Sequence, residues 1–283
     1  MKHFFAFFFC MTIALPCFAQ KTNTTKPFVI GHQTEIKSAI LGEKRILNIY
    51  LPEGYNTKDT INYPVIYLLD GSADEDFIHI SGLVQYSSFE WVNYIPKSIV
   101  VGIASVNRKR DFTFPSDVEE LKIAYPEAGH SDAFIAFIEK ELQPFIDRNY
   151  KTNTSKTVIG QSLGGLLETE ILFKKPQLFN RYIIISPSLW WDNGSLLSLN
   201  PEMLSVNFKR PTEIYIGVGK EGLAPIATPH VMEVDANLLA EKIKGSKSKS
   251  VKIIFDYLPT ENHATIMHQA TLNAFKLLSN KTL

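Results

Sequence analysis

The residues best suited to chemistry lie in Val158-Ile159-Gly160-Gln161-Ser162-Leu163-Gly164-Gly165. A β-branched run leads into a serine that has glycine two positions away on either side, and a helix-forming stretch follows. This spacing suits a hydroxyl exposed on a sharp strand-to-helix turn, where side chains at 160 and 164 would collide. A helix beginning just past Ser162 aims its free amides at the reacting atom, which makes the Leu163 amide a candidate oxyanion donor. Leu166, Leu167 and Ile171 fall on the inner face of that helix, and Gly165 permits close packing. The chemistry implied is attack by Ser162 on a carbonyl; the plain alternative is a glycine-rich turn.

A serine nucleophile needs a base. On such a turn its partners follow along the chain as acid, then histidine on a loop after the final strand. Lys252 to Tyr257 reads as that strand, and His263 follows it directly. His268 lies one turn into the next helix and is discounted as the base. His79 reads as a surface or cleft residue, and His32 and His130 as exposed turn residues. The acid should follow the strand Ile214 to Gly219, where Glu221 is the first carboxylate. Asp235, Glu233 and Asp192 stand as alternatives, as does a Ser–His pair with no carboxylate.

Other stretches face the same edge. Val65 to Leu69 runs into Asp70-Gly71-Ser72, where Gly71 would let backbone approach the substrate and the Ser72 amide would be the second oxyanion donor. Trp190 and Trp191 in Ser186-Pro187-Ser188-Leu189-Trp190-Trp191 read either as an aromatic pocket or as a cap on the core. Arg108 and Arg110, in the basic and aromatic stretch 107–115, would bind an anionic or catecholic group; a solvated loop is the bland reading.

The elements that must position these residues are legible from periodicity. Thr34 to Ser38 and Arg45 to Leu51 alternate apolar and polar types around Gly42, which predicts two antiparallel strands. The runs at 65–69, 98–103, 157–159, 182–185, 214–216 and 252–257 are short and apolar, and they alternate with helical stretches. That is the pattern of an α/β protein whose mostly parallel sheet is buried on both faces. Ser131 to Asp147 is the clearest helix, followed by one after Ser162, one over Met232 to Lys244 and a last from about Ala264 to Leu278.

The chain has 283 residues, 45% of them hydrophobic, which suffices for one full core and is small for two domains. Lys+Arg and Asp+Glu both number 29, so there is no electrostatic footprint for nucleic acid and no basic face for a membrane. Residues 1–19 read as a secretory signal peptide: a basic start, the apolar run Phe4 to Leu15, and Ala19 before the cut. The run is too short to span a bilayer, so stable membrane insertion is not expected. Residues 20–27 read as a flexible leader and 28–283 as one domain. Both cysteines, Cys10 and Cys17, fall in the signal, so the exported chain would have neither disulfide nor thiol nucleophile.

Together these motifs make the chain similar to the esterase family of α/β-hydrolases that includes esterase D and the enterobactin-type siderophore esterases. The resemblance runs from about Glu35 to Phe275. It rests on residues 63–71, the Asn-Arg-Lys-Arg-Asp-Phe-Thr stretch 107–113, the Gly-Gln-Ser-Leu-Gly-Gly turn 160–165, residues 186–191 and His263. The family's nucleophile falls on Ser162 and its base on His263; its acid varies, which leaves Glu221 open. The resemblance implies the α/β-hydrolase fold and hydrolysis of siderophore-type or other small carboxylic esters through an acyl-enzyme, with no metal or organic cofactor. A glycan-linked feruloyl or acetyl ester is the alternative substrate. An inactive hydrolase fold kept for binding is the alternative of another class.

Overall fold

The computed structural model describes residues 25–58 and 60–279. The export segment read at 1–19 lies outside these described residues.

The chain opens with β1 (His32–Lys37) and β2 (Lys44–Tyr50), an antiparallel pair as the alternation predicts, and both belong to one eight-stranded sheet. Next come β3 (Tyr63–Leu68), α1 (Phe77–Ser87), β4 (Ile99–Ile103), and the short helices α2 (Arg108–Phe112) and α3 (Glu119–Ala124). Then follow α4 (Ser131–Phe137), α5 (Gln143–Asn149), β5 (Thr152–Gln161), α6 (Leu163–Lys174), β6 (Arg181–Ile185) and α7 (Ser195–Ser198). The chain finishes with β7 (Thr212–Gly219), α8 (Met232–Lys244), β8 (Val251–Leu258) and α9 (Ile266–Leu277). The strand order is β1-β2-β4-β3-β5-β6-β7-β8, and every pairing from β4 to β8 is parallel.

Parallel pairing needs crossovers, and the crossover helices cover both faces of the sheet. The pleat divides the apolar residues between two cores. In β3, Val65 and Tyr67 enter one core while Ile66 and Leu68 enter the other; in β6, Tyr182 and Ile184 oppose Ile183 and Ile185. All six parallel strands end at one edge, and the loops leaving that edge carry the candidate residues.

The long helix expected over 131–147 is interrupted by a π turn, Ile138–Leu142, between α4 and α5. Pro144 is the physical reason. It has no N–H and its ring would strike the carbonyl of Lys140, so the helix takes a wider turn just before it. Helix α1 was not read from the sequence, although Phe77, Ile80, Leu83, Val84 and Ser87 are buried at helical spacing.

Helix α6 is buried along nearly its whole length, which places two carboxyl groups in the interior. Glu170 is paired with Lys174 at 2.6 Å, whereas neither oxygen of Glu168 has a hydrogen-bond partner. Burial therefore pushes the Glu168 carboxyl well above its ordinary value, and it stays protonated inside the fold. The unfolded chain loses that proton at ordinary acidity, so the native state holds the extra proton and stability falls as pH rises above the usual Glu range. Glu168→Gln keeps the shape and removes the titration. Its thermal midpoint should exceed that of wild type at about pH 8, and the gap should close toward about pH 4 in calorimetric scans.

Candidate active site

Ser162 ends β5 and begins α6 with φ 62° and ψ −117°, a conformation an L-residue rarely adopts. Backbone hydrogen bonds hold it there: its amide donates to Ile185 O at 3.0 Å, and its carbonyl accepts from Ser188 N and Leu166 N, both at 3.0 Å. A Cβ at Gly160 would lie 2.8 Å from Glu168 Oε1 and 2.9 Å from Leu69 Cδ1, so a side chain here would force these buried neighbours to shift. Gly165 is similarly tight, with Ile185 O and Pro187 Cα at 3.0 Å. Gly164 differs from expectation, because a Cβ there meets Leu69 only at an ordinary 3.6 Å.

His263 follows β8, and its Nδ1 lies 2.7 Å from Glu221 Oε2. Burial works to raise the Glu221 carboxyl, but hydrogen bonds from His263 and Ser186, the His263 charge and the Gly219 amide outweigh it and hold the group below its ordinary value. An ionised carboxylate only accepts, so Nδ1 carries a hydrogen toward Glu221, which leaves Nε2 as the nitrogen that can serve Ser162. The other carboxylates considered from the sequence are engaged elsewhere. Glu233 accepts the amides of Glu221 (2.8 Å) and Gly222 (2.9 Å), Asp235 binds His230 (2.8 Å), and Asp192 binds Ser116 (2.7 Å) and the Asp117 amide (3.0 Å). His268 is 3.3 Å from His79, whose other nitrogen is 2.8 Å from Asp76.

Ser162, Glu221 and His263 line one cavity of about 180 Å³, walled by Leu223, Ala224, Pro225 and Met232. Among the described residues no hydrogen bond joins His263 to Ser162; the serine hydroxyl rests 3.2 Å from Ser188 Oγ. A second cavity of about 150 Å³ meets the first at Ser162, Ser188 and Trp190, and adds Arg108, Lys109, Tyr125, Leu163 and Trp191. Lys109 Nζ sits 4.4 Å above the Tyr125 ring. Trp190 and Trp191 thus serve both readings, since they are buried against the core and also wall the cavity.

Three sequence expectations need revision. Gly71 does not open the backbone to substrate: a Cβ there would lie 2.4 Å from Gly102 Cα, so it is a packing glycine between β3 and β4. Arg110 does not reach either cavity. It binds Glu43 (2.6 Å) and Asp111 (2.8 Å), and together with the fully buried Arg45 it staples α2 to β2. Arg108 does reach the second cavity, yet its Nε is committed to both oxygens of Asp70, at 2.8 and 2.9 Å. For the oxyanion donors, the amides of Leu163 and Ser72 donate no hydrogen bond among the described residues, but only Leu163 borders a cavity at Ser162. Ser186 and Ser188 were missed as site residues; the Ser-Pro-Ser run just after β6 was the available signal. Ser186, at φ 43°, donates to Glu221 Oε1. Among the described residues no group of three or more His, Cys, Asp or Glu side chains is arranged to hold a metal ion.

A mostly parallel sheet whose carboxyl edge carries a strained Gly-x-Ser-x-Gly turn, beside an imidazole–carboxylate pair, defines an α/β-hydrolase. The family model described as "Putative esterase" matches residues 38–244. The chain belongs to this esterase family and is a carboxylic-ester hydrolase. It is 28% identical to the ferri-bacillibactin esterase BesA of Bacillus subtilis strain 168, over 87% of this chain and 90% of that protein. Among solved structures, it is similar to an IroE-like serine hydrolase from Shewanella oneidensis (TM-score 0.78, 32% identity, 88% of this chain and 80% of that one). It is also similar to the BES protein of Bacillus cereus (TM-score 0.76, 28% identity, 92% of this chain and 100% of that one).

Two substitutions separate the roles described here. Glu221→Gln should lower kcat/KM on a p-nitrophenyl ester about 1,000-fold with the circular dichroism spectrum unchanged. Arg110→Gln should cost about 2 kcal/mol in urea unfolding and leave KM unaltered, because it breaks a charged hydrogen-bond cluster away from the cavities.

Proposed function

We propose that the chain is an exported serine esterase that cleaves aryl-bearing siderophore-type esters through an acyl-enzyme on Ser162. The observation that carries this reading is the Glu221–His263 pair sharing a cavity with Ser162, next to a second cavity lined by cations and aromatic rings. On binding an ester, the Ser162 hydroxyl turns from Ser188 to His263 Nε2. The imidazole takes its proton as the oxygen attacks the ester carbonyl, and the buried Glu221 carboxylate stabilises the imidazolium. The Leu163 amide, which borders the cavity at Ser162, holds the oxyanion. His263 then gives the proton to the leaving alcohol. Water, deprotonated by His263, releases the acid and restores the serine.

Charge and shape support the substrate class. Lys109, the Arg108 edge, Tyr125 and the two tryptophans offer cations and ring faces to an anionic aryl group. The apolar wall by His263 faces the side from which the alcohol leaves. The name of the similar Bacillus subtilis protein, a ferri-bacillibactin esterase, supports the siderophore part of this reading, and that of the Shewanella oneidensis serine hydrolase supports the serine chemistry. Export rests on the signal-like residues 1–19. A feruloyl ester of plant polysaccharide would use the same aromatic wall and is the second reading.

The test compares purified protein with Ser162→Ala on p-nitrophenyl esters, on a ferric catecholate trilactone and on ethyl ferulate. Turnover of the trilactone with kcat/KM well above that of the ferulate is expected, with loss of at least about 1,000-fold in Ser162→Ala. Lys109→Ala should raise KM about tenfold for the trilactone and leave p-nitrophenyl acetate unaffected. Near wild-type turnover by Ser162→Ala would overturn the nucleophile assignment, and preference for ferulate would transfer the substrate class to the second reading.

A further inference from the structure

The loops around Ser162 are joined by one line of polar contacts between residues distant in sequence. Ser105, after β4, donates its hydroxyl to Asp70 Oδ1 at 2.9 Å. Asp70, at φ 52° on the turn that leaves β3, accepts Arg108 Nε on both oxygens. Burial works to raise this carboxyl while Arg108 opposes it. Arg108 Nη2 donates to the main-chain carbonyl of Gln161 at 2.9 Å, one residue before the nucleophile. The Gln161 side-chain amide then donates to the main-chain carbonyl of His263, 102 residues away in sequence. A carbonyl only accepts, so the NH₂ end of Gln161 must face it.

The last contact is the one whose loss would matter most. Other ties of the histidine loop lead to the β7 side: Glu221 on Nδ1, and the Lys220 amide on Glu261 O at 2.8 Å. Among the described residues, Gln161 alone hydrogen-bonds the histidine loop to the nucleophile strand. His263 makes no hydrogen bond to Ser162 among the described residues, so their spacing depends on how the two loops are held. A misplacement of about 1 Å between nucleophile and base costs on the order of 100-fold in rate.

We infer that Gln161 is a positioning residue that sets the distance between Ser162 and His263, with Asp70 and Arg108 anchoring its backbone. The inference rests on the esterase reading for its effect on rate, but the clamp itself has a readout that does not need turnover. Gln161→Met, Gln161→Lys and Gln161→Glu are similar in length and differ in the group offered to the His263 carbonyl. Met offers no donor, Lys restores one, and Glu opposes the carbonyl with an acceptor. In the full chain, hydrogen–deuterium exchange over 259–265 should quicken in Met and Glu and stay close to wild type in Lys. On p-nitrophenyl acetate, kcat should fall about tenfold in Met, further in Glu, and recover most of the loss in Lys, with KM unchanged. Asp70→Asn combined with Gln161→Met should cost less than the sum of the single losses, because both break the same line.

Unchanged exchange over 259–265 in both Met and Glu would overturn the clamp. Faster exchange in those variants with kcat retained would overturn its role in positioning the base. If wild type turned over no ester while the exchange order held, the clamp would stand and the esterase reading would fail.

Discussion

Ser162 is held where an L-residue does not rest, and the arrangement of the site depends on that hold. A backbone at φ 62° and ψ −117° costs on the order of 1–3 kcal/mol, and the surroundings must offset it. They do so from three sides. Strand β5 is paired on both edges, helix α6 is buried along most of its length, and Ile185, Ser188 and Leu166 occupy the backbone groups of Ser162 itself. Asp70 and Ser186, at the ends of the neighbouring strands β3 and β6, also have positive φ. Three adjacent strands thus end in sharp turns, and the side chains of Asp70 and Ser186 tie neighbouring loops together, through Arg108 and Glu221.

The two buried glutamates show that burial alone does not decide a charge. Glu221 is desolvated, yet Ser186, Gly219 and His263 all donate to it, and the donors keep it ionised. Glu168 is desolvated with no donor and keeps its proton. Only the first is a fixed negative charge able to stabilise an imidazolium. The second fills space beneath Gly160, and its protonated form spares the interior an isolated charge close to the nucleophile.

Much of this was legible in the chain because the signals were local. The strand runs, the elbow and the one histidine directly after the last strand follow from spacing over a few residues. Glu221 followed from chain order, while its rivals Glu233 and Asp192 could be dismissed only once their distant partners were in view. What stayed hidden was set by long-range contact. Arg108 and Arg110 are two residues apart and looked equivalent, yet one braces Asp70 at the site and the other serves Glu43 just before β2. Gly71 looked like a glycine for substrate approach, but its constraint comes from Gly102, and no local pattern carries that. The histidine–glutamine contact spans 102 residues and left no mark in either neighbourhood.

The segment between β7 and α8 has a different kind of consequence. A bridge between Leu223 and Val231 closes it on itself, with the Ala224 amide on His230 O at 2.8 Å and the Met232 amide on Gly222 O at 2.9 Å. Its Leu223, Ala224 and Pro225 form the wall beside His263, while the groups that hold Glu221 come from β6, β7, α8 and the histidine loop. The wall, Leu223 to Val231, is therefore a loop pinched at its base, with Glu221 just outside it. Asp235 on His230 and Glu120 on the Ala227 amide tie it to the rest of the fold. Changes confined to 223–231 therefore reshape the wall beside His263, while Glu221 keeps donors that all lie outside that loop.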